Sequence, residues 1–388
     1  MDLSFTDDQL AVRDTIAKIC EKYDDEYWLS RDRDGEFPED FVKDLADGGW
    51  LGIAMPTEYG GSGLGITEAA LMMQTIAQSG AGFSGCSSMH INIFGPHPIV
   101  VHGTDEQKQR MLPPLIKGED RTCFGVTEPN AGLDTTRIET KAELQGDHYI
   151  VNGRKMWTST AQTATKIMLL ARTTPRDEAA KPTEGITLFY TDFDRDYCEA
   201  RVIEKMGRKA VDSNATFYDN LPVPVENRIG EEGRGFYYIL DGINPERILV
   251  AAEAVGLGRA ALRKAVAYAG ERVVFDRPIG KNQAIQHPLA DAWAHLEAAD
   301  AMVWRAASLY DAGQPCGAEA NAAKYLAAEA GYTACERAVM THGGMGYAKE
   351  FHVERYLRES FIARIAPVSR EMILNYISQH VLELPRSY

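Results

Sequence analysis

The residue with the clearest chemical potential is Glu246, in the segment Gly242-Ile-Asn-Pro-Glu-Arg247. Proline is favoured in the first turn of a helix, so Pro245 places Glu246 near the start of a predicted helix. A carboxylate at this position has two interpretations. It can be a solvated group that the helix dipole stabilises. It can also turn inward, where burial raises its pKa toward neutrality and makes it a proton acceptor.

Other motifs with known chemistry are absent or out of context. Gly256-Leu-Gly258-Arg-Ala-Ala261 superficially matches a dinucleotide fingerprint, which must follow a strand and begin a helix. Here it lies inside a continuous helical pattern, which favours close packing of helices at small residues. The sequence contains no phosphate-binding Gly-x-x-x-x-Gly-Lys-Ser/Thr loop and no Gly-x-Ser-x-Gly nucleophile motif. No histidines or cysteines have zinc-binding spacing, so we predict no metal site.

The composition is that of an acidic globular protein. Of 388 residues, 45% are hydrophobic and 25% are charged, and the formal net charge is −15. This excess of acidic groups disfavours general binding to nucleic acid or to anionic membranes, because both require clustered Lys and Arg. No segment has the length and apolarity of a membrane span, and no signal-peptide pattern is present. With six scattered cysteines, we expect a cytoplasmic protein with reduced thiols.

Three regions follow one another along the chain and predict an α+β fold. Thr6–Gln9 and Thr104–Gln107 both have the capping-box pattern that begins a helix. Asn152-Gly153 predicts a hairpin, and strand-like runs follow at 167–172 and 185–191. The predicted domains are an N-terminal helical domain (1–121), a middle β domain (122–235) and a C-terminal helical domain (236–388).

Four segments together resemble motifs of the acyl-CoA dehydrogenase family. Cys123-Phe-Gly-Val-Thr-Glu-Pro-Asn-Ala-Gly-Leu-Asp134 resembles the first signature, and Lys155-Met-Trp-Thr-Ser159 resembles the strand that covers the flavin. Glu271-Arg-Val-Val-Phe275 with Asn282-Gln-Ala-Ile resembles the Arg-x-x-Phe and Gln-Ala-Ile elements. Thr341-His-Gly-Gly-Met-Gly-Tyr347 resembles the second signature. The order and spacing match across essentially the whole chain, which implies a helical domain, a β-barrel-like domain and a four-helix bundle.

The resemblance implies that the chain binds FAD. Alone, Thr127 and Ser159 are typical strand residues and Trp157 a typical core residue. In the family pattern, the indole lies against the flavin and the two hydroxyls bond to its edge. A neighbouring subunit would hold the adenosine and pyrophosphate half, which implies a homotetramer. The implied FAD-binding residues are Phe124, Val126, Thr127, Gly132, Leu133, Trp157, Thr158, Ser159, Arg272, Phe275, Gln283, Met340, Gly343, Gly344, Ser369 and Glu371.

The resemblance also implies oxidation of an acyl-CoA between its α and β carbons, with an electron-transfer flavoprotein as acceptor. A carboxylate in a water-poor pocket removes the α proton. Many family members take this base from a Tyr-Glu-Gly segment, where this chain has Pro367. A smaller isovaleryl-CoA and long-chain group carries it on a helix before an Arg, which matches Glu246. The implied substrate-binding residues are Leu133, Tyr237, Asn244, Arg247, Pro367 and Val368.

Three positions depart from the family pattern. Leu133 replaces a usual Ser, and Met340 replaces a usual Gln or acidic residue. Pro367 has no backbone N–H with which to polarise a thioester carbonyl. Two alternatives remain open: an oxygen-using relative (an acyl-CoA oxidase, nitroalkane oxidase or flavin-dependent hydroxylase) and a binding protein without activity. A branched or bulky acyl group is weakly favoured as the substrate.

Overall fold

The structure is a computed structural model that describes residues 5–387. The Thr6 hydroxyl accepts a hydrogen bond from the Gln9 amide at 3.2 Å, and the Gln9 side chain accepts one from the Thr6 amide at 3.0 Å. Thr104 and Gln107 make the same reciprocal pair, so both predicted capping boxes are confirmed. The N-terminal helices are α1 (Asp7–Cys20), α2 (Asp25–Asp34), α3 (Glu39–Asp47), α4 (Ile66–Ile76), α5 (Gly82–Phe94), α6 (His97–His102) and α7 (Asp105–Ile116).

A β region follows these helices. The strands are β1 (Thr122–Gly125), β2 (Lys141–Gln145), β3 (His148–Ser159), β4 (Lys166–Arg172), β5 (Ile186–Asp192), β6 (Cys198–Val202), β7 (Ser213–Pro224) and β8 (Arg228–Ile229). They form one sheet in the order β6-β7-β3-β2-β4-β5-β8, and β1 pairs in parallel with β4. The strands predicted at 167–172 and 185–191 are β4 and β5. Both are almost completely buried, because one of their faces packs against α7 and the other packs against side chains of β3 and β7.

The hairpin predicted at Asn152-Gly153 is wrong, because both residues lie inside β3. At Gly153 a Cβ atom would lie 2.5 Å from the Thr140 hydroxyl, so glycine permits the close approach of β3 to the residue that precedes β2. The pairing of β3 with β7 is irregular at the same point, as expected for a bulge. The turn that connects β2 to β3 contains Gly146, with φ 64°.

Helices return after the sheet. The C-terminal elements are α8 (Gly235–Asp241), α9 (Ile243–Glu271), the short strands β9 (Val273–Val274) and β10 (Arg277–Pro278), α10 (Gln283–Asp311), α11 (Gly317–His342), α12 (Val353–Ile365) and α13 (Arg370–His380). Small residues bring these helices together. A Cβ at Gly256 would lie 2.4 Å from the Gln74 carbonyl oxygen of α4, and one at Gly258 would lie 3.0 Å from the Gly331 Cα of α11. The helix-packing interpretation of Gly256 to Ala261 is therefore confirmed.

One hydrophobic core joins the N-terminal and C-terminal helices, with Ile16, Phe41 and Met72 packed in the same cluster as Leu257 and Ala306. A second cluster joins α6, α7 and α8 to the sheet, and a third lies within the β region. Most of the helices therefore form one body beside the sheet, and α5 contacts β1 at the boundary between them. Within residues 5–387, no helix is long and apolar enough to cross a membrane.

Candidate active site

Trp157 is held outside the sheet by an irregular turn of β3. Its neighbours Lys155 and Thr158 are fully buried, whereas the indole is 56% exposed. The register between β3 and β7 shifts between these neighbours, and Trp157 has φ 63°. A positive φ is unfavourable for a bulky residue and marks functional sites when the surrounding structure enforces it. An indole presented in this way fits the wall of a flat ring system.

A buried ion pair fixes the strand that carries Trp157. Lys155 Nζ lies 2.8 Å from Glu128 Oε1, and the Met156 amide donates to the Thr127 carbonyl at 2.8 Å. Burial alone would raise the pKa of Glu128, but Lys155 and the backbone amides of residues 139–140 outweigh it and lower that pKa. Burial lowers the pKa of Lys155 to about 8. The two family motifs are therefore one structural unit, a role that sequence reasoning did not assign to either residue.

Arg208 joins three elements at the predicted flavin edge. One terminal nitrogen donates to the Ser87 hydroxyl of α5 at 3.1 Å. The other donates to the hydroxyls of Ser159 and Ser213, each at 3.2 Å. Arg208 has φ 56°, so its loop is also held in a conformation that disfavours side chains. Sequence reasoning missed this residue, because its partners come from distant parts of the chain.

Glu246 lies in the first turn of α9, as predicted. Among residues 5–387, no group hydrogen-bonds or ion-pairs with its carboxylate. Burial raises the pKa of Glu246 to about 7, although the charges of His90 and Arg247 act in the opposite direction. The inward interpretation of this carboxylate therefore fits the structure better than the solvated one.

Helix α5 presents a row of side chains opposite Glu246. His90 Nδ1 lies 2.6 Å from Glu253 Oε1, and Glu253 is two turns further along α9 than Glu246. His90 Nε2 is buried without a hydrogen-bond partner in the described chain. One turn along α5, the Phe94 ring lies 4.9 Å from His90 and 5.4 Å from Phe124 between ring centroids. Sequence reasoning predicted Phe124 but not His90, Phe94 or Glu253.

The segment containing Pro367 and Val368 also lies near Glu246, through Lys324 of α11. Lys324 Nζ donates to the Val368 carbonyl at 2.7 Å. Burial lowers the pKa of Lys324 to about 8, and the Glu246 carboxylate opposes that shift. The side chain of Ser369 caps α13, so that hydroxyl already has a structural partner.

The remaining predicted site residues include some with hydrogen-bond partners, some that are buried and some that are exposed. Arg247 donates to the Asn244 side chain at 3.0 Å, and the Tyr237 hydroxyl lies 2.8 Å from that of Thr183. Thr158 is fully buried, so its hydroxyl faces the sheet interior. Val126 and Thr127 directly follow β1, Gly132 and Leu133 lie on an exposed loop, and Glu371 is exposed at the start of α13.

A second group of predicted FAD-binding residues lies at the far end of α9. Tyr268 near that end stacks on His342 of α11 at 4.3 Å between ring centroids. About 26 residues of helix separate Glu246 from Arg272, which corresponds to about 39 Å. Within one chain, the predicted cofactor residues therefore form two separated groups. The second group consists of Arg272, Phe275, Gln283, Met340, Gly343 and Gly344.

This second group is open on its outer side. The Phe275 ring is 94% exposed. Gly343 has φ 59°, and a Cβ added to Gly343 or Gly344 would meet no atom of the described chain within 4 Å. The space that these glycines leave free fits a close approach of a phosphate group or of another chain. Among residues 5–387, no cluster of His, Cys, Asp and Glu is arranged to hold a metal ion.

Comparisons with known proteins cover the whole of this architecture. Three family profiles match in order: acyl-CoA dehydrogenase N-terminal domain (residues 6–119), middle domain (123–221) and C-terminal domain (233–382). Acyl-CoA dehydrogenase fadE12 of Mycobacterium bovis is 36% identical over 395 residues, with 100% of both chains covered. The chain belongs to the acyl-CoA dehydrogenase family. The predicted family and fold class are therefore confirmed.

Two further relatives are similar to this acyl-CoA dehydrogenase over most of its length. A glutaryl-CoA dehydrogenase in complex with glutaryl-CoA has a TM-score of 0.94 at 28% identity, covering 100% of this chain and 98% of the other. The caffeyl-CoA reductase–Etf complex subunit CarC of Acetobacterium woodii is 35% identical over 329 residues, covering 84% and 85%. This acyl-CoA dehydrogenase is an oxidoreductase with FAD as its cofactor. The exposed Trp157 and the open glycines fit that cofactor.

Proposed function

We propose that this acyl-CoA dehydrogenase oxidises an acyl-CoA thioester to the trans-2-enoyl-CoA, and that Glu246 accepts the α proton. When bound beside Trp157, FAD would supply the acceptor for the hydride of the β carbon. The observation that carries the proposal is the state of Glu246, a carboxylate without a partner in the described chain whose pKa burial raises to about 7. A base with a pKa near the working pH is suited both to accept a proton and to release it.

The proposed roles of the other side chains follow from their positions. Trp157 forms the wall against the flavin, and Thr127 and Ser159 bond to its polar edge. Phe94 and Phe124 exclude water from the space beside Glu246, which keeps the pKa of the base high. The proposed substrate contacts are Leu133, Tyr237, Asn244, Arg247, Pro367 and Val368.

We also propose a homotetramer in which a neighbouring subunit holds the adenosine and pyrophosphate half of FAD. The separation of the two residue groups along α9 supports this arrangement. So does the outer surface of the second group, where Phe275 and Tyr347 (90% exposed) leave apolar rings uncovered. Exposed apolar surface of this kind is typical of contacts between chains.

An electron-transfer flavoprotein is the proposed electron acceptor, and a role in β-oxidation is the proposed context. The name of the relative CarC, which includes an Etf complex, supports such a partner. The proposed cytoplasmic location is supported by the buried, unpaired state of Cys20, Cys86, Cys123, Cys198, Cys316 and Cys335. The domain boundaries after residues 121 and 235 are likewise a proposal, supported by the change from helices to strands and back.

Anaerobic addition of short, branched and long acyl-CoAs to the purified enzyme tests the proposed reaction. We expect the visible flavin absorbance to bleach with at least one class, and Glu246→Gln to retain flavin without bleaching. Asp291→Asn, on an exposed face of α10, makes the same carboxyl-to-amide change and should bleach normally. Normal bleaching by Glu246→Gln would contradict the assignment of the base. Fast reoxidation of the bleached enzyme in air would favour an oxygen-using enzyme instead.

A further inference from the structure

Arg208 holds a positive charge in the candidate site without an acidic partner. Its guanidinium donates to three hydroxyls, those of Ser87, Ser159 and Ser213. In the described chain, no carboxylate lies within 4.0 Å of it. Serine hydroxyls are neutral, so they satisfy the hydrogen bonds and leave the charge uncompensated. An enclosed charge without a counter-charge is unfavourable, and burial accordingly lowers the pKa of Arg208.

The acidic groups that act on Arg208 from further away are already engaged. They are Glu253, Glu359 and Asp212. Glu253 pairs with His90, and Glu359 accepts from the Ser84 hydroxyl at 2.6 Å. Asp212 accepts from the Gln162 amide at 3.2 Å. None of them is free to move to Arg208 without losing its own partner.

Two enclosed arginines of the helical body, in contrast, have a direct acidic partner. Arg358 lies 2.7 Å from Asp32, and Arg259 lies 2.9 Å from Asp300. Arg208 instead donates to Ser159, which is one of the proposed flavin contacts. A ligand bound in the proposed site could therefore supply the missing counter-charge.

The position of Arg208 indicates which ligand group would reach it. Through Ser159 it adjoins the proposed edge of the flavin, and through Ser87 it adjoins the row on α5 that faces Glu246. The acyl group must lie between the flavin and Glu246 for its α and β carbons to react. His90, in the same row, adds a buried Nε2 atom without a partner in the described chain. A pocket for an unsubstituted alkyl chain requires neither group.

We propose that Arg208 binds a carboxylate carried by the acyl group, so that the substrate is a short dicarboxylic acyl-CoA. The inference rests on the proposed function and specifies its substrate class. The carboxylate accepts charge-assisted hydrogen bonds from the guanidinium and supplies the missing counter-charge. Because Arg208 adjoins the reacting region, the carboxylate lies only a few bonds from the β carbon.

The test compares glutaryl-CoA with pentanoyl-CoA on the FAD-loaded enzyme, since their acyl chains have equal length and differ in the terminal carboxylate. We expect kcat/KM to be about 10- to 100-fold higher for glutaryl-CoA, the usual contribution of hydrogen bonds to a charged group. Arg208→Gln should reduce this ratio to about one, and Arg208→Lys should restore part of it. Lys209→Gln, which removes a charge from the same loop, should keep the wild-type ratio.

Equal or better use of pentanoyl-CoA by the wild type would overturn the proposal, and this result does not depend on whether the variants fold. A loss in Arg208→Gln that is equal for both substrates, together with a shifted flavin reduction potential, would assign Arg208 to the flavin and also overturn it. Failure of the proposed function looks different, because then neither thioester, nor any other acyl-CoA, bleaches the flavin.

Discussion

Two enclosed glutamates of this acyl-CoA dehydrogenase, Glu128 and Glu246, have opposite surroundings. Glu128 has Lys155 at 2.8 Å and accepts hydrogen bonds from the amides of residues 139 and 140 at 2.6 and 3.0 Å. These partners lower its pKa despite burial. Glu246 has no such partner in the described chain, and burial raises its pKa to about 7.

The difference shows that hydrogen-bond and ion-pair partners determine the role of an enclosed carboxylate. The partners that lower the pKa of Glu128 favour its charged form, and its pairing with Lys155 fixes the strand that presents Trp157. Glu246 can change its protonation state near neutral pH, which is what proton abstraction requires. The same residue type thus serves as a structural anchor in one place and as the proposed base in the other.

The largest expected effect is a loss of activity when Glu246 is replaced. Glu246→Gln should lower the rate of flavin reduction by about 10²- to 10⁴-fold, the usual contribution of a general base. The flavin content should remain normal, because Glu246 is not among the proposed FAD-binding residues. Stopped-flow absorbance under anaerobic conditions measures the rate. A reduction of less than tenfold would remove Glu246 from the chemistry.

Glu128→Gln should lower the stability of the folded protein. The substitution leaves Lys155 buried without its counter-charge, which typically lowers the free energy of unfolding by about 3–5 kcal/mol. Chemical denaturation measures this loss, and the ratio of flavin to protein reports whether Trp157 remains in place. The double variant Glu128→Gln/Lys155→Met removes both charges and should recover part of the loss. A single variant as stable as the wild type would show that the pair is not an anchor.

Glu246→Gln should have the opposite effect on stability when FAD is absent. Folding raises the pKa of Glu246, so the folded state favours the protonated form, and this contribution is lost as the pH rises through about 7. The variant should therefore be more stable than the wild type above pH 7, by about 1–3 kcal/mol. The difference should vanish below about pH 4, where the carboxyl is protonated in both states. Destabilisation above pH 7 would mean that Glu246 has a stabilising partner.

The smallest expected effect concerns His90. Its charge opposes the raised pKa of Glu246, together with the charges of Arg247 and Lys324 and against that of Glu253. His90→Gln keeps a donor for Glu253 and removes the charge, so the pKa of the base should rise further. The midpoint of the pH–rate profile should move up by less than about one pH unit. A downward shift would show that His90 does not act on the base electrostatically.

Structural features that depend on residues close together in the sequence were predictable from it. The capping boxes at Thr6 and Thr104, the strands β4 and β5, and the glycines inside α9 all follow from local patterns. The hairpin at Asn152-Gly153 failed because its glycine permits a close contact with Thr140, which directly precedes β2. A local turn signal cannot distinguish that use of glycine from a turn.

Family motifs led to the prediction of Trp157 and Glu246 as site residues, and their roles are proposals. Arg208 and His90 could not be predicted in this way, because their hydrogen-bond partners are far away in the sequence. Arg208 bonds to Ser159, which is 49 positions away, and His90 bonds to Glu253, which is 163 positions away. Only the packing of α5 against both α9 and the sheet brings these residues to one place.

The pH dependence of the anaerobic rate of flavin reduction, with saturating acyl-CoA, tests the central claim most directly. The ionised carboxylate is the form that accepts the α proton, so the rate should be low in acid, rise with a midpoint near pH 7 and then level off. The residual rate of Glu246→Gln should lack this transition. A flat wild-type profile, or a transition that persists unchanged in Glu246→Gln, would contradict the assignment of Glu246 as the base.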